Sequence, residues 1–167
     1  FCLLVLATVC ISAAGYIIND YFDVNADMMN KPDSVIIGKC INRRNAMILH
    51  WVLNIIGCVS GAVVSYGIGR ESYSLMFIFI VGILWFYSTT FSKEPILGNI
   101  IVAILVAMVP LIEVMYELLP ILSLPIEAIT QLNINFEEIM LWSFGYAIFA
   151  FLLTLLREMV KDIEDVE

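Results

Sequence analysis

Charged residues are scarce in this sequence, and basic residues are the scarcer kind. Only 14% of the 167 residues are charged, with 8 Lys or Arg against 16 Asp or Glu, so the formal net charge is −8. A protein that binds nucleic acid neutralises the phosphates with a stripe of basic side chains. No such stripe is present in the sequence, which argues against a nucleic-acid partner.

Cysteine and histidine are also few, and their spacing is unlike that of a disulfide-rich or zinc-binding protein. The four cysteines form no C-x-x-C pair, and three of them lie in apolar segments, where cysteine behaves as a small hydrophobic residue. The single histidine, His50, is interpreted as a helix-end residue, with a base or a metal ligand as the alternative. The sequence therefore indicates neither a disulfide framework nor a zinc site.

Long apolar runs make up most of the chain, since 62% of its residues are hydrophobic. Each run has roughly the 20 residues that an α-helix needs to cross about 30 Å of hydrocarbon. They predict one membrane domain with five spans, at residues 1–18, 46–68, 73–91, 95–119 and 139–156. Residues 28–45 are predicted as a polar loop and residues 120–138 as an irregular loop with a short interfacial helix. The fold class is thus an all-α, polytopic membrane helix bundle.

Five crossings place the connecting segments alternately on the two sides of the membrane. Seven of the eight basic residues fall on one side: Lys31, Lys39, Arg43, Arg44, Lys93, Arg157 and Lys161. Only Arg70 falls on the other side. Because Lys and Arg are enriched in cytoplasmic loops, the richer side is predicted to be cytoplasmic. Residues 19–27 and 158–167 then lie on that same side.

The first acidic segment follows the first apolar run directly. Asn19, Asp23 and Asp27 are spaced i, i+4 and i+8, so a helix carries them in one row, which Asp20 joins. Like charges at this spacing repel each other, and carboxylates at a bilayer edge are unfavourable. A Mg²⁺ ion would offset both effects, because it takes oxygen ligands from one or two carboxylates plus substrate phosphates. The alternative is a solvated acidic helix end.

A second acidic segment follows the last apolar run. Glu158, Asp162 and Asp165 (i, i+4, i+7) share one helix face, and Arg157 and Lys161 form a basic edge beside it. By itself this pattern is also that of an ordinary charged helix end. Two carboxylate rows on one side of the membrane, with basic side chains, can instead hold two metal ions and a diphosphate.

These segments resemble the motifs of the UbiA-type intramembrane prenyltransferases. Residues 19–27 are similar to the family's first aspartate-rich motif, and residues 157–165 are similar to the beginning of its second. Residues 87–99 look like the segment in which a tyrosine and a lysine face the diphosphate. The three motifs occur in order, and the resemblance covers the whole chain.

The resemblance implies a fold of nine helices around a central cavity, of which this chain supplies five. It also implies Mg²⁺ as cofactor, and an isoprenyl diphosphate, a polar acceptor and membrane lipid as partners. Residues 30–39 and 157–165 look most like the branch that transfers geranylgeranyl to a glycerol-phosphate acceptor. The chain begins without methionine and ends directly after a charged run, which favours a piece of a longer protein.

The motifs and their neighbourhood give each candidate site residue a role. The catalytic residues are Asp20, Asp23, Lys93 and Asp162. The substrate-binding residues are Asn19, Tyr87, Lys93, Arg43, Arg157 and Lys161. The metal ligands are Asn19, Asp20, Asp23, Asp27, Asp162 and Asp165. Because the family's second motif is usually D-x-x-x-D, whereas Asp162 and Asp165 are spaced i, i+3, either of these two can be the ligand.

An allylic diphosphate ionises when the charge on the leaving diphosphate is stabilised, and the carbocation then needs dry, apolar walls. Ring faces attract cations, so aromatic residues of the spans are candidates for these walls. They are Tyr16, Trp51, Tyr66, Phe77, Trp85, Phe86, Phe144 and Tyr146. Individually, such residues more often face lipid or pack against other helices.

Two other functions fit parts of the pattern. A related enzyme could transfer the isoprenyl group to an aromatic acceptor such as a quinone precursor. A cation transporter could bind the carried ion with intramembrane carboxylates. The position of the acidic residues at one membrane edge argues against transport, because a transport site is expected near the midplane.

Overall fold

The computed structural model of the chain describes residues 1–30, 32–92, 94–127, 129 and 134–164. Five long α-helices account for most of these residues: α1 (Cys2–Asn30), α2 (Arg43–Gly67), α3 (Ser74–Phe86), α4 (Pro95–Leu122) and α5 (Phe136–Glu164). No β-strand occurs in these ranges, and Ile37 and Ile41 form only an isolated β-bridge. The predicted all-α class is confirmed.

Five segments are long and apolar enough to cross a membrane: Cys2–Met29, Arg43–Gly67, Glu71–Phe91, Ile96–Leu122 and Phe136–Ile163. Large apolar side chains along them are exposed, among them Ile55, Val63 and Leu75. A helix that is apolar on all sides and not buried by protein is suited to lipid. The predicted number of spans, five, is therefore confirmed by the length and composition of these segments.

The first and last helices continue beyond their apolar runs into the acidic segments. All of residues 19–27 belong to α1, and Asp162 belongs to α5. The segment predicted as an irregular loop, residues 120–138, is helical at both ends, because α4 continues to Leu122 and α5 begins at Phe136. Pro120 removes one backbone donor without ending α4, and membrane helices tolerate such a residue.

The connection between α1 and α2 is anchored by apolar side chains. It contains a 3₁₀ turn at Pro32–Ser34. Val35 and Ile37 are buried together with Val24 of α1 and Ala46 of α2. The segment predicted as a polar loop therefore has an apolar core that fixes it against both helices.

The packing of α1 against α2 combines a buried polar pair with a small residue. His50 Nδ1 lies 2.9 Å from the Ala14 carbonyl oxygen, and Asn54 Nδ2 lies 3.1 Å from His50 Nε2. A neutral ring that donates from Nδ1 and accepts at Nε2 satisfies both contacts. A Cβ at Gly57 would lie 2.6 Å from Ile11 Cγ1, so the helices approach closely there. The interpretation of His50 as a helix-end residue is wrong, because its ring is buried and bonded across the interface.

The third span ends in a π-helical segment, Tyr87–Phe91. The Ser92 N–H donates to the Tyr87 carbonyl oxygen, five residues earlier, at 2.9 Å. Segments of this kind are rare and are frequent at functional sites. The chain then turns into α4, where a Cβ at Gly98 would lie 2.7 Å from the Phe91 carbonyl oxygen. Glycine permits this close approach, which another residue would prevent.

The described residues form two compact units. Residues 2–98 contain α1, α2 and α3, and residues 99–164, with Phe1, contain nearly all of α4 and α5. In the second unit, a hydrogen bond joins Asn99 of α4 to Asp162 of α5, and another joins Ser143 of α5 to the Pro110 carbonyl of α4. The order of these contacts shows that α4 and α5 run antiparallel.

Candidate active site

The first acidic motif forms a half-buried row on α1. Asn19, Asp23 and Asp27 follow one another at intervals of about one turn and are partly buried, whereas Asp20 is exposed. Asn19 Nδ2 donates a hydrogen bond to Asp23 Oδ2 at 3.0 Å. The carboxamide is thereby oriented by the carboxylate one turn further along the helix.

The other polar atom of this carboxamide, Asn19 Oδ1, is buried and has no hydrogen-bond partner among the described residues. Leaving a buried acceptor unsatisfied costs about 1–3 kcal/mol. An unpartnered oxygen next to a carboxylate is suited to a bound cation or an ordered water. Together with Asp23, this atom is therefore the strongest indication of a ligand position in the first motif.

The donor atoms of the first motif suit a hard divalent cation. Within the described ranges, no group of three or more His, Cys, Asp or Glu side chains is placed to hold a metal ion. Mg²⁺ does not require such a group, because one or two carboxylates, water and substrate phosphates commonly complete its octahedron. Carboxylates of Asp20, Asp23 and Asp27 and the carboxamide of Asn19 supply only oxygen ligands. These residues therefore fit a magnesium ion.

Arg43 lies beside the first motif. It is the first residue of α2, and its Nη2 donates to the Tyr21 carbonyl oxygen at 3.3 Å. Its guanidinium also lies over the Tyr21 ring, 5.2 Å from the centroid. Because a guanidinium has five N–H donors, one bond to a carbonyl leaves others for an anion. The structure thus brings Arg43 next to the segment that contains Asp20 and Asp23.

A groove of about 530 Å³ opens beside Arg43 in the same unit. Its remaining lining consists of Tyr21, Arg44, Met47, Ile48, Trp51, Val52 and Ile55. The two arginines lie at the first turn of α2, and the apolar residues follow along the membrane-spanning part of that helix. Such a lining is chemically suited to an amphipathic molecule with an anionic head.

Trp85, near the end of α3, is the centre of an aromatic cluster close to the first motif. Its ring centroid lies 6.1 Å from that of Phe22, 5.5 Å from that of His50 and 6.0 Å from that of Trp51. Among the other candidates for cavity walls, Phe77 is buried against Gly61 and has a packing role. The remaining ones are exposed: Tyr16, Tyr66, Phe86, Phe144 and Tyr146.

Tyr87 of the third motif is half-buried at the first position of the π-helical segment. A Cβ at Gly98 would lie 3.3 Å from Cε2 of its ring. The start of α4 therefore limits the positions that this ring can take. Lys93, the other predicted residue of this motif, lies outside the described residues.

The second acidic segment occupies the end of α5. Asp162 is half-buried and accepts a hydrogen bond from Asn99 Nδ2 at 2.7 Å. Arg157 and Lys161 are exposed, and a guanidinium nitrogen of Arg157 lies 3.8 Å from a carboxylate oxygen of Glu158. The basic edge next to the second motif is thus exposed at the surface of its unit.

The predicted site residues are divided between the two compact units. The first motif, Arg43 and Tyr87 belong to residues 2–98, and the described part of the second motif belongs to residues 99–164. Lys31 and Asp165 lie outside the described residues. The meeting of the two motifs around one diphosphate therefore stays a prediction.

Asn99 has no role in the sequence-based prediction, although it lies in the third motif. Its side chain is 8% exposed and its partner is 63 residues away in the sequence. The sequence feature that could have pointed to Asn99 is its carboxamide, which stands directly after Gly98 in an apolar helix. A buried polar group needs a partner. The sequence does not identify that partner, because the contact joins two helices.

Five candidate membrane spans, with the aspartates of residues 19–27 at the end of α1 and Asp162 at the end of α5, agree with the resemblance to the intramembrane prenyltransferases. The model of the UbiA prenyltransferase family matches residues 1–167, and the chain belongs to this family.

The chain is similar to several proteins named digeranylgeranylglyceryl phosphate synthase. The one from Methanobrevibacter smithii is 29% identical over 167 residues, which cover 99% of this chain and 52% of that protein. The one from Saccharolobus solfataricus is 31% identical over 156 residues, covering 93% of this chain and 47% of that protein. The one from Methanopyrus kandleri is 31% identical over 164 residues, which cover 98% of this chain and 50% of that protein. The chain thus spans about half the length of these relatives. No solved structure matches it significantly.

Proposed function

We propose that the full-length protein transfers a geranylgeranyl group from its diphosphate to a glycerol-phosphate lipid precursor in a Mg²⁺-dependent reaction. The observation that carries this proposal is the pairing of Asn19 with Asp23, in which the buried carboxamide oxygen has no hydrogen-bond partner among the described residues. Membership in the UbiA prenyltransferase family supports the reaction class.

The ligands proposed for magnesium come from both acidic motifs. Asn19, Asp20, Asp23 and Asp27 would hold the ion at the first motif, and Asp162 or Asp165 at the second. When bound, Mg²⁺ neutralises the negative charge that grows on the leaving diphosphate. The carboxylates alone would repel the diphosphate, so these residues and the substrate are compatible only through bridging cations.

Basic and hydroxyl side chains of the chain supply the direct contacts to the diphosphate. Arg43 keeps N–H donors beside the first motif, and Arg157 and Lys161 form the basic edge of the second. Lys93 and Tyr87 are proposed as further contacts from the third motif. Positive charge and hydrogen-bond donors at this position stabilise the diphosphate as its bond to the allylic carbon breaks.

The allylic cation must be kept from water until the acceptor attacks. The rings of Phe22, Trp51 and Trp85, which lie close together near the first motif, offer apolar surface and electron-rich faces for this purpose. The acceptor's hydroxyl oxygen then forms the new bond to the allylic carbon and loses its proton to the released diphosphate.

The glycerol-phosphate acceptor is proposed from the relatives, which are named digeranylgeranylglyceryl phosphate synthase. We propose further that the active site faces the cytoplasm, since seven of the eight basic residues are predicted on that side.

The experiment that tests this function offers labelled geranylgeranyl diphosphate to the purified full-length protein in detergent. Parallel reactions contain geranylgeranylglyceryl phosphate, an aromatic quinone precursor or no acceptor. The proposal predicts a labelled diether phosphate with the first acceptor only. Transfer to the aromatic acceptor alone would assign the protein to the aromatic branch. No transfer to either would contradict the proposed substrates.

A further inference from the structure

Asn99 places a carboxamide in a buried position of α4. The residue is 8% exposed and lies in the second turn of the helix that begins at Pro95. Burying a carboxamide is unfavourable unless its polar atoms are satisfied. An apolar side chain would fit the surrounding helix without this requirement, so the polar group at this position needs an explanation.

The partner of Asn99 is a carboxylate of the second motif. Its Nδ2 donates to Asp162 Oδ2 at 2.7 Å, from α4 to the last turn of α5. This distance is at the short end of the range for charge-assisted hydrogen bonds, about 2.7–2.9 Å. A carboxylate near a helix end has several rotamers available, and this bond favours one of them.

The bond from Asn99 occupies only a small part of the capacity of this carboxylate for ligands. A carboxylate has about four lone-pair sites, and a single N–H donor occupies one of them. Oδ1 and the second lone pair of Oδ2 can therefore still bind a cation. Carboxylates that bind metal ions are commonly hydrogen-bonded by a neighbouring group that fixes their orientation. A neutral amide fits this task, because it orients Asp162 without adding a positive charge that would repel the cation.

We propose that Asn99 is a positioning residue, which holds Asp162 in the orientation that binds magnesium. This inference rests on the proposed function, since it takes the second motif as a metal site. It also selects Asp162 as a ligand of that motif, a choice that the sequence leaves open between Asp162 and Asp165.

A purely structural tie between helices is the competing explanation, and the chain offers a matched control for it. Ser143 Oγ donates to the Pro110 carbonyl oxygen at 3.4 Å and also joins α5 to α4. Ser143 is buried as well, but neither it nor Pro110 belongs to an acidic motif. Removing either bond loosens the same helix pair, whereas only one removal affects Asp162.

The test compares Asn99→Ala, Asn99→Leu and Ser143→Ala in the full-length protein. Binding of Mn²⁺, as a spectroscopic probe of the magnesium site, is measured by electron paramagnetic resonance, and thermal unfolding is measured without metal. We expect both Asn99 variants to weaken Mn²⁺ binding about 10- to 100-fold. Ser143→Ala should change it by less than about twofold. Asn99→Leu removes the hydrogen-bond donor but keeps the side-chain volume. It therefore distinguishes the loss of the hydrogen bond to Asp162 from the effect of a cavity, which Asn99→Ala would also create.

Wild-type Mn²⁺ affinity in both Asn99 variants would overturn the positioning role, as would an equal loss in Ser143→Ala. An Asp162→Asn variant separates this outcome from failure of the proposed function. If Asp162→Asn weakens Mn²⁺ binding and the Asn99 variants do not, only the positioning role fails. If Asp162→Asn binds Mn²⁺ like the wild type, the metal site of the second motif fails and the role of Asn99 fails with it.

Discussion

Asn19 and Asp23 of the first motif are a carboxamide and a carboxylate that are joined by a hydrogen bond. The carboxamide nitrogen donates to Asp23, and the carboxamide oxygen is buried with no hydrogen-bond partner among the described residues. The apolar residues around them, such as Ile18 and Val24, are buried and supply the packing. Because packing and ligand binding rest on different residues, the two can be changed separately.

Replacing Asp20 or Asp23 with alanine is expected to lower kcat/KM for isoprenyl transfer by at least about 100-fold at saturating Mg²⁺, because each change removes a proposed metal ligand. Membrane insertion should stay intact. Asp33→Ala, which removes an exposed carboxylate predicted on the same side of the membrane, is the control and should stay active. Substantial turnover by Asp23→Ala would count heavily against this site.

Lys93 is expected to contribute a charge against the diphosphate. Lys93→Met keeps much of the side-chain length and removes the charge. We expect kcat/KM to fall roughly 30- to 1000-fold, which corresponds to a loss of about 2–4 kcal/mol in transition-state stabilisation. Glu94→Gln is the control. If Lys93 only pairs with Glu94, the two variants should have the same kcat/KM. Unchanged kinetics in Lys93→Met, with insertion verified, would leave this lysine with a topological role only.

At the scale of elements, the His50 ring joins α2 to α1 through its contact with the Ala14 carbonyl oxygen. His50→Leu removes the contact to the Ala14 carbonyl and leaves the buried Asn54 without its partner. We expect a loss of about 1–3 kcal/mol in stability, seen as a lower melting temperature in detergent. Tyr66→Phe, at an exposed position of the same helix, should not change it. Equal melting temperatures for His50→Leu and wild type would refute this account of the interface.

The sides on which the connecting segments lie can be tested with thiol labelling. Cys40 is exposed in the connection between α1 and α2 and serves as a native reporter. A membrane-impermeant reagent added outside intact cells should leave Cys40 and an introduced Ser92→Cys unlabelled, and should label Ser123→Cys. Labelling of Cys40 or Ser92→Cys from outside would contradict the proposed cytoplasmic face.

The sequence predicts the elements well where a local pattern determines them. Span number follows from the lengths of apolar runs, and the row of Asn19, Asp23 and Asp27 follows from helical periodicity. The π-helical segment at Tyr87–Phe91 could not be predicted, because no local pattern of residues shows the close approach of Gly98 to the Phe91 carbonyl oxygen.

Contacts between helices mark the limit of sequence-based prediction at the site. His50 contacts the carbonyl of Ala14, which lies 36 positions away in the sequence. Asn99 donates to Asp162, which lies 63 positions away. Periodicity places a residue on a face of its own helix and gives no information about the residue opposite. These partners are therefore found only in the structure.

At the scale of the whole molecule, the first acidic motif and the described part of the second belong to separate compact units, and the chain spans about half the length of its relatives. The proposed reaction needs both motifs around one diphosphate. Transfer should therefore depend on residues of both units, and variants of Asp23 and Asp162 should both lower it.

The most direct test of the central claim is the rate of geranylgeranyl transfer by the full-length protein as a function of free Mg²⁺. We predict no transfer after thorough chelation with EDTA and a saturable return of activity as Mg²⁺ is added back, because the proposed mechanism has the carboxylates bind the diphosphate through the metal. Transfer that continues at the original rate after chelation would contradict the mechanism.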